Sequence, residues 1–203
     1  MNKARLETFS DGVFAIVITL LVLSITIPEV DYDHLSEALR SILPKILSYV
    51  MSFVLIGLYW IGHHFYFDRV KQVDGNFVWM NILLLLLISF MPFPTYLLGK
   101  YPFKQLPLML YGFNLIATNL ISFLMLLYLY KNRHLTNDSF KDEFYKTQLP
   151  MFAGINITYL IAIVFSWFYP VVSYILYILI IVYGVKSYIR RMNEMLKEKS
   201  GFC

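Results

Sequence analysis

The chain has 203 residues, of which 59% are hydrophobic and only 15% are charged, and its mean hydropathy is +0.62. Because soluble domains carry about 25% charged residues, this composition excludes an ordinary soluble protein and indicates a protein of the lipid bilayer. The formal net charge of +4 does not favour nucleic acid as a partner, since basic residues in so apolar a chain are expected to follow the positive-inside rule. The single cysteine, Cys203, excludes an intrachain disulfide and a cysteine-rich metal site.

Six apolar runs each come close to the roughly 20 residues that a membrane-spanning helix needs. They predict an all-α membrane protein whose residues 1–203 form a single domain of six transmembrane helices. The predicted helices lie at about 8–27, 44–66, 77–98, 106–130, 149–169 and 171–190. Pro92 and Pro94 predict the end of the third helix, because proline lacks the amide that a helix interior needs. The last two runs are predicted to form a hairpin turning at Pro170, since about 40 continuous helical residues would be twice as long as a 30 Å hydrocarbon core.

The distribution of basic residues predicts the orientation of these helices. With six crossings both termini lie on one side, and only Arg40, Lys45, Lys100 and Lys104 lie on the other, which leaves 17 − 4 = 13 Lys and Arg on the side of the termini. The positive-inside rule therefore predicts cytoplasmic termini. The polar segment 29–41 is then external, and its carboxylates either attract cations or form a solvated face: Glu29, Asp31, Asp33 and Glu37.

Polar side chains cluster at the predicted cytoplasmic ends of the first three helices. Asp11 lies near the start of the first helix, where an ionisable group is a functional candidate by default. The alternative is a carboxylate that faces the helix dipole and interfacial water. His63, His64, Asp74 and Asn81 are predicted at the same level of the membrane. We expect a hydrogen-bonded network that joins the three helices, with structural support as its main role.

One face of the first helix carries Ile16, Thr19, Leu20 and Leu23, which follow the i, i+3, i+4, i+7 spacing. Without further information such a stripe predicts a packing surface.

Two functional hypotheses follow from the residues. A proton-coupled or other small-ion transporter would use Asp11 and a histidine as a relay. A membrane acyltransferase would use the H-x₄-D spacing of His63 and Asp68, with the histidine as general base. The sequence contains neither a phosphate-binding glycine loop nor a nucleophile motif that would support the enzyme hypothesis. Neighbouring histidines point about 100° apart on a helix, so we expect no fixed metal ligands and no cofactor.

The start of the first helix, Arg5-x-x-x-Phe9-Ser10-Asp11, resembles the R-x-x-x-F-S-D signature of the transmembrane protein 175 family, the lysosomal potassium channels and their prokaryotic relatives. Further stretches agree with the family in the same order along the chain: residues 13–16 and 19–23, Trp60 with His63 and His64, Asn81, and residues 89–95. The resemblance by motif covers about the first half of the chain.

The resemblance implies a potassium-preferring leak channel, not an enzyme, that lacks a T-V-G-Y-G filter. A chain with one six-helix repeat is similar to the prokaryotic type. The expected assembly is a homotetramer in a prokaryotic plasma membrane, with helix 1 lining a central pore. The implied partners are potassium ions, further copies of the chain and the lipid bilayer.

The same resemblance implies roles for individual residues. Ile16, Leu20 and Leu23 match the apolar rings that constrict the pore, and Thr19 matches a hydroxyl layer that sets cation preference. The signature network is implied to contain seven residues, with the choice between the two histidines left open: Arg5, Phe9, Ser10, Asp11, His63, His64 and Asn81.

Overall fold

The computed structural model describes residues 2–136 and 148–200. These residues form eight α-helices: α1 (Lys3–Leu20), α2 (Leu35–Ser41), α3 (Leu43–Phe67), α4 (Gly75–Phe90), α5 (Pro92–Lys100), α6 (Gln105–Lys131), α7 (Leu149–Phe165) and α8 (Pro170–Ser200). Short 3₁₀ turns lie at Leu21–Ser24, Tyr32–His34 and Arg133–Leu135. The described residues contain no β-strand, only an isolated bridge between Val70 and Thr136. The all-α prediction is confirmed.

Local sequence explains where several helices begin. The side chain of Asn2 accepts a hydrogen bond from the Ala4 amide at 3.1 Å, and Asp74 accepts one from the Phe77 amide at 2.9 Å. Both are N-caps, which satisfy amides that have no partner within the helix. Helices α3, α5 and α7 each carry a proline in the first turn, where the missing amide costs nothing.

The predicted third helix, 77–98, is divided into two helical segments that together form one candidate crossing, Gly75–Lys100. Helix α4 ends at Phe90, and Pro92 begins α5. The carbonyl of Ile88 accepts from the Met91 amide at 3.1 Å, which satisfies an oxygen that the proline would otherwise leave unpaired. The prolines therefore start a new helical segment and do not end the crossing, because a first-turn proline needs no amide partner.

Five helical segments are long and apolar enough to cross a membrane: Lys3–Ser24, Leu43–Phe67, Gly75–Lys100, Gln105–Lys131 and Pro170–Arg190. Helix α7 is apolar but has only 17 residues. It ends at Phe165, the chain turns, and α8 starts at Pro170 and packs against α7. A sixth crossing by α7 stays a prediction.

The bundle positions α1 against α3 and α4, while α6 packs against α4, α5, α7 and α8. Close helix approach is visible at Gly112, where a Cβ atom would lie 2.7 Å from Cγ1 of Ile163 and would also contact the Tyr177 hydroxyl. Only glycine fits this contact between α6 and the α7–α8 pair.

The loop before α4 is tied to the segment after α6. The Lys71 amide donates to the Leu135 carbonyl at 2.7 Å. The Tyr128 hydroxyl donates to Oδ2 of Asp74 at 2.5 Å. Desolvation opposes ionisation of Asp74, but the bonds from Tyr128 and from the Phe77 amide outweigh it, so the pKa of Asp74 lies below its ordinary value. Lys141 and Lys146, which belong to the predicted cytoplasmic charge, and Cys203 lie outside the described residues.

Candidate functional site

Helix α1 has two distinct faces. One face is buried against α3 and α4 and carries Leu6, Ser10, Phe14 and Val17, with Leu21 following it in the 3₁₀ turn. The opposite face is open in the single chain, and 60% of Ile16, 46% of Leu20 and 70% of Leu23 are exposed, with Thr19 exposed beside them. The helix period of 3.6 residues places the buried and the exposed residues on different faces. Helix α1 therefore packs on α3 and α4 with one face and leaves the predicted pore residues exposed on the other.

A buried chain of hydrogen bonds holds the inner face of α1. Nε2 of His63 lies 2.8 Å from Oδ1 of Asn81, Nδ2 of Asn81 lies 2.9 Å from Oγ of Ser10, and Oγ of Ser10 donates to the Leu6 carbonyl at 2.8 Å. Since Asn81 accepts through Oδ1, His63 donates from Nε2, which fixes its tautomer. This series of hydrogen bonds joins α3, α4 and α1. The donors all point the same way along it, and each of these polar groups has a partner.

His63 is enclosed as well as hydrogen-bonded. Its ring stacks on Phe67 at 4.2 Å between centroids and meets Phe14 edge-on at 5.6 Å, and only 2% of the residue is exposed. Asp68 lies on the exposed end of α3. The structure therefore does not present His63 and Asp68 together to a substrate, as the acyltransferase hypothesis requires.

A second, partly exposed group surrounds Asp11. Nε1 of Trp60 donates to Oδ1 of Asp11 at 3.0 Å, and Nε2 of His64 lies 3.6 Å from the same oxygen. Nδ1 of His64 lies 3.1 Å from the Trp60 carbonyl. The side chains of Asp11 and His64 are 44% and 43% exposed. This group therefore sits at the rim of the α1–α3 contact, where water weakens each interaction.

The two histidines divide between the two groups, which resolves the choice that the sequence left open. Successive residues on a helix point about 100° apart, so Ser10 and Asp11 face different neighbours, and so do His63 and His64. Trp60 is the partner that the predicted network omitted. Its position four residues before His64, on one helix face, is the signal that points to it.

Arg5 and Phe9 do not lie with the rest of the signature network. Both are on the exposed side of α1, and 56% of Phe9 is exposed. The signature therefore contains residues of both faces, with Ser10 and Asp11 contacting α3 and α4 and the other two turned toward the surroundings.

Thr19 is arranged to offer oxygen lone pairs. Its Oγ1 donates to the Ile16 carbonyl at 2.8 Å, so the hydroxyl proton is used within the helix. The exposed side of this oxygen is then an acceptor, as a cation needs. Leu23 lies beyond the end of α1, in the 3₁₀ turn Leu21–Ser24, so the outermost predicted constriction is not on regular α-helix.

A contact that the sequence did not predict fixes the chain after this turn. Nζ of Lys45, in the first turn of α3, donates to the carbonyl oxygen of Thr26 at 2.7 Å and to its Oγ1 at 2.9 Å. The partners are 19 positions apart, and no local pattern connects them.

Fixed metal ligation has no support within residues 2–136 and 148–200. No group of three or more His, Cys, Asp or Glu side chains there could hold a metal ion.

Known proteins share this architecture. A family model described as "Endosomal/lysosomal potassium channel TMEM175" matches residues 5–92, which contain the whole helix α1 face and its hydrogen-bonded partners. A crystal structure described as a lysosomal potassium-selective channel TMEM175 homolog from Chamaesiphon minutus is 30% identical and superposes with a TM-score of 0.80, covering 91% of this chain and 97% of that chain. The chain belongs to the TMEM175 family.

Other TMEM175 relatives differ in length and in the ion that their names state. A protein of a Chryseobacterium species named as a potassium channel is 35% identical over 199 residues, which is 98% of this chain and 100% of the relative. A zebrafish (Danio rerio) protein named as an endosomal/lysosomal proton channel is 26% identical over 187 residues, which cover 89% of this chain and 36% of the relative. The match to the animal protein thus spans about a third of its length.

Proposed function

We propose that this chain is a potassium channel that assembles as a homotetramer, with α1 of each copy lining a central pore. The observation that carries the proposal is the open face of α1, on which Ile16, Thr19 and Leu23 lie opposite the face that is bonded to α3 and α4. A relative that matches 98% of this chain over its own full length is named as a potassium channel. The superposed structure is described as potassium-selective.

The residues of the open face suit this task. Four Ile16 side chains around one axis close a pore by expelling water from a narrow apolar ring. Four Thr19 hydroxyls supply oxygens that replace part of a cation's hydration shell. Leu20 and Leu23 add further apolar rings toward the outer mouth. Because hydroxyl oxygens replace only part of the hydration, we expect potassium preference and not strict exclusion of sodium.

The proposal includes the orientation in the membrane. Both termini lie in the cytoplasm of a prokaryotic cell, which is supported by the 13 to 4 distribution of basic residues between the two sides. This topology requires α7 to cross the membrane with its 17 residues. The groups around Ser10 and Asp11 are then at the cytoplasmic end of the pore helix, and the Lys45 contact is at its outer end.

Ion flux from liposomes tests the proposal. We expect purified protein to pass potassium faster than sodium. Ile16→Ala should raise flux, because a smaller apolar ring is easier to wet, and Thr19→Ala should bring the two ion fluxes closer together. Flux that is absent from the wild type, or equal for both ions, contradicts the potassium proposal.

The chain offers matched controls on α7. Ile157 is 55% exposed, close to the exposure of Ile16. Thr158, like Thr19, donates its hydroxyl at 2.8 Å to a carbonyl of its own helix, that of Gly154 four residues back, whereas Thr19 donates to Ile16 three residues back. Ile157→Ala and Thr158→Ala should leave flux and preference unchanged. If they act as strongly as the α1 variants, α1 does not line the pore.

Proton permeation is a second candidate, favoured by the name of the zebrafish relative and by the partly exposed contact of Asp11 with His64. A pH-sensitive dye inside the same liposomes distinguishes it. Proton uptake that persists when potassium is absent favours a proton channel, whereas potassium flux without dye response favours the first proposal. The acyltransferase alternative is set aside, because His63 is enclosed and the named relatives are channels.

A further inference from the structure

Lys45 occupies a position that its own helix does not favour. It lies in the first turn of α3, which contains no acidic residue, and the positive end of the helix dipole repels a cation there. Within the part of the chain that the structure describes, its ammonium is in no ion pair. A residue that conflicts with its local setting points to a role elsewhere in the fold.

The role is visible in what Lys45 bonds. Its ammonium donates to both the carbonyl and the hydroxyl oxygen of Thr26, at 2.7 and 2.9 Å. Thr26 follows the 3₁₀ turn that carries Leu23, and α1 has no further helix beyond that turn to hold it. The two bonds therefore restrain the chain three residues after Leu23.

The base of this contact is fixed by close packing. A Cβ atom on Gly99 would lie 2.9 Å from Cα of Lys45 and 2.7 Å from Oγ of Ser48. Helix α5 thus approaches the first turn of α3 so closely that the backbone of Lys45 cannot shift toward it. The ammonium extends from a rigid corner between α3 and α5 to a chain segment that has left regular helix.

From this geometry we infer that Lys45 is a positioning residue for the outer mouth of the pore, holding the outer end of α1 back against its own subunit. The inference rests on the proposed function, because it needs the open face of α1 to face the pore axis. Helices α3 and α5, which form this corner, both pack against the 3₁₀ turn that carries Leu23, whereas the Leu23 side chain itself is 70% exposed. Release of the bonds lets the Leu23 segment move toward the axis, which narrows the pore.

Flux measurements compare three changes of the contact. Lys45→Met removes the charge and both bonds. It should lower potassium flux about fivefold, because losing an exposed charge-assisted hydrogen bond lowers the population of the open arrangement by about that factor. Lys45→Arg keeps charge and donors and should restore most of the flux. Thr26→Val removes only the hydroxyl acceptor and should give an intermediate value. Lys104→Met removes another predicted external charge, without this contact, and should leave flux unchanged.

A cross-linking experiment separates the inferred movement from a general loss of stability. In a Cys203→Ser background, Leu23→Cys forms disulfides between copies only if this position faces the other subunits. We expect Lys45→Met to increase cross-linking at Leu23→Cys and not at Ile16→Cys, which lies on regular helix nearer the cytoplasm. A merely structural effect of Lys45 would change both positions or neither.

The outcomes keep the two proposals apart. Wild-type flux with no response to Lys45→Met, or a response shared by Lys104→Met, overturns the role of Lys45 and leaves the channel intact. Unchanged cross-linking at position 23 overturns it as well. Absence of wild-type flux, together with no cross-linking at positions 16 and 23, overturns the pore proposal itself.

Discussion

Replacing Asn81 with leucine tests the buried hydrogen bonds that hold α1 against α3 and α4. Asn81 is 0% exposed and bonds His63 at 2.8 Å and Ser10 at 2.9 Å. Leucine has a similar volume but offers neither donor nor acceptor. The substitution leaves Nε2–H of His63 without an acceptor inside the bundle, whereas Ser10 keeps its bond to the Leu6 carbonyl.

The expected cost is about 2 to 3 kcal/mol. A buried donor without a partner costs about 1–3 kcal/mol. The lost bond to Ser10 adds about 0.6 kcal/mol, the average for side-chain bonds between membrane helices. For a chain of this length the total corresponds to a fall in melting temperature of about 5–10 °C. Thermal unfolding in detergent, followed by the fraction of protein that stays monodisperse, measures the change.

Asn119 provides a matched control for the same substitution. Within the described residues its Nδ2 atom is buried and has no hydrogen-bond partner. Asn119→Leu should therefore be neutral or stabilising, because it removes a buried amide nitrogen that makes no hydrogen bond. In a His63→Phe background, Asn81→Leu should cost at least about 1 kcal/mol less than in the wild type. Equal melting temperatures for Asn81→Leu and the wild type, or equal losses at both asparagines, would refute the reasoning.

Two further predictions concern other parts of the bundle. The pKa of Asp74 lies below its ordinary value, so its hydrogen bonds add stability above about pH 4 that is lost as the pH falls through the lowered pKa. Tyr128→Phe should weaken this acid dependence, which is measured as melting temperature against pH. Gly112→Ala should destabilise the folded protein by about 1–3 kcal/mol, because the added methyl group would overlap the Tyr177 side chain. The methyl group of Gly154→Ala has no atom within 4 Å, so this control should not lower the melting temperature. Equal melting temperatures for the two alanine variants would contradict the prediction.

Prediction from sequence succeeded where a feature depends on nearby residues. The stripe of Ile16, Thr19, Leu20 and Leu23 follows from helical spacing, which by itself predicts a packing surface, and the structure leaves that face unburied in the single chain. Periodicity could not say what the face meets, since an apolar stripe facing lipid and one facing a pore have the same pattern. The motif resemblance supplied that interpretation, and the family itself is confirmed by the comparisons.

The same reasoning was incomplete at Pro92, where α4 ends at Phe90 as predicted but α5 begins at once, and it was incomplete at the signature network. Proline rules describe the backbone at one residue, but whether a helix resumes depends on what the next turn packs against, and α5 packs on α3. The network lacked Trp60 and included Phe9. Motif letters state which residues occur together and do not state which side of the helix each one takes.

The sequence by itself determined the membrane class, the helical architecture and the apolar stripe of α1, because composition and a 3.6-residue period are properties of the chain alone. Tertiary structure decided which partner each polar group takes: His63 with Asn81, His64 and Trp60 with Asp11, and Lys45 with Thr26. The members of the last pair are 19 positions apart and those of the Trp60–Asp11 pair 49. Such contacts form only after helices pack, since helix rotation and height in the bundle set which atoms come within hydrogen-bonding distance.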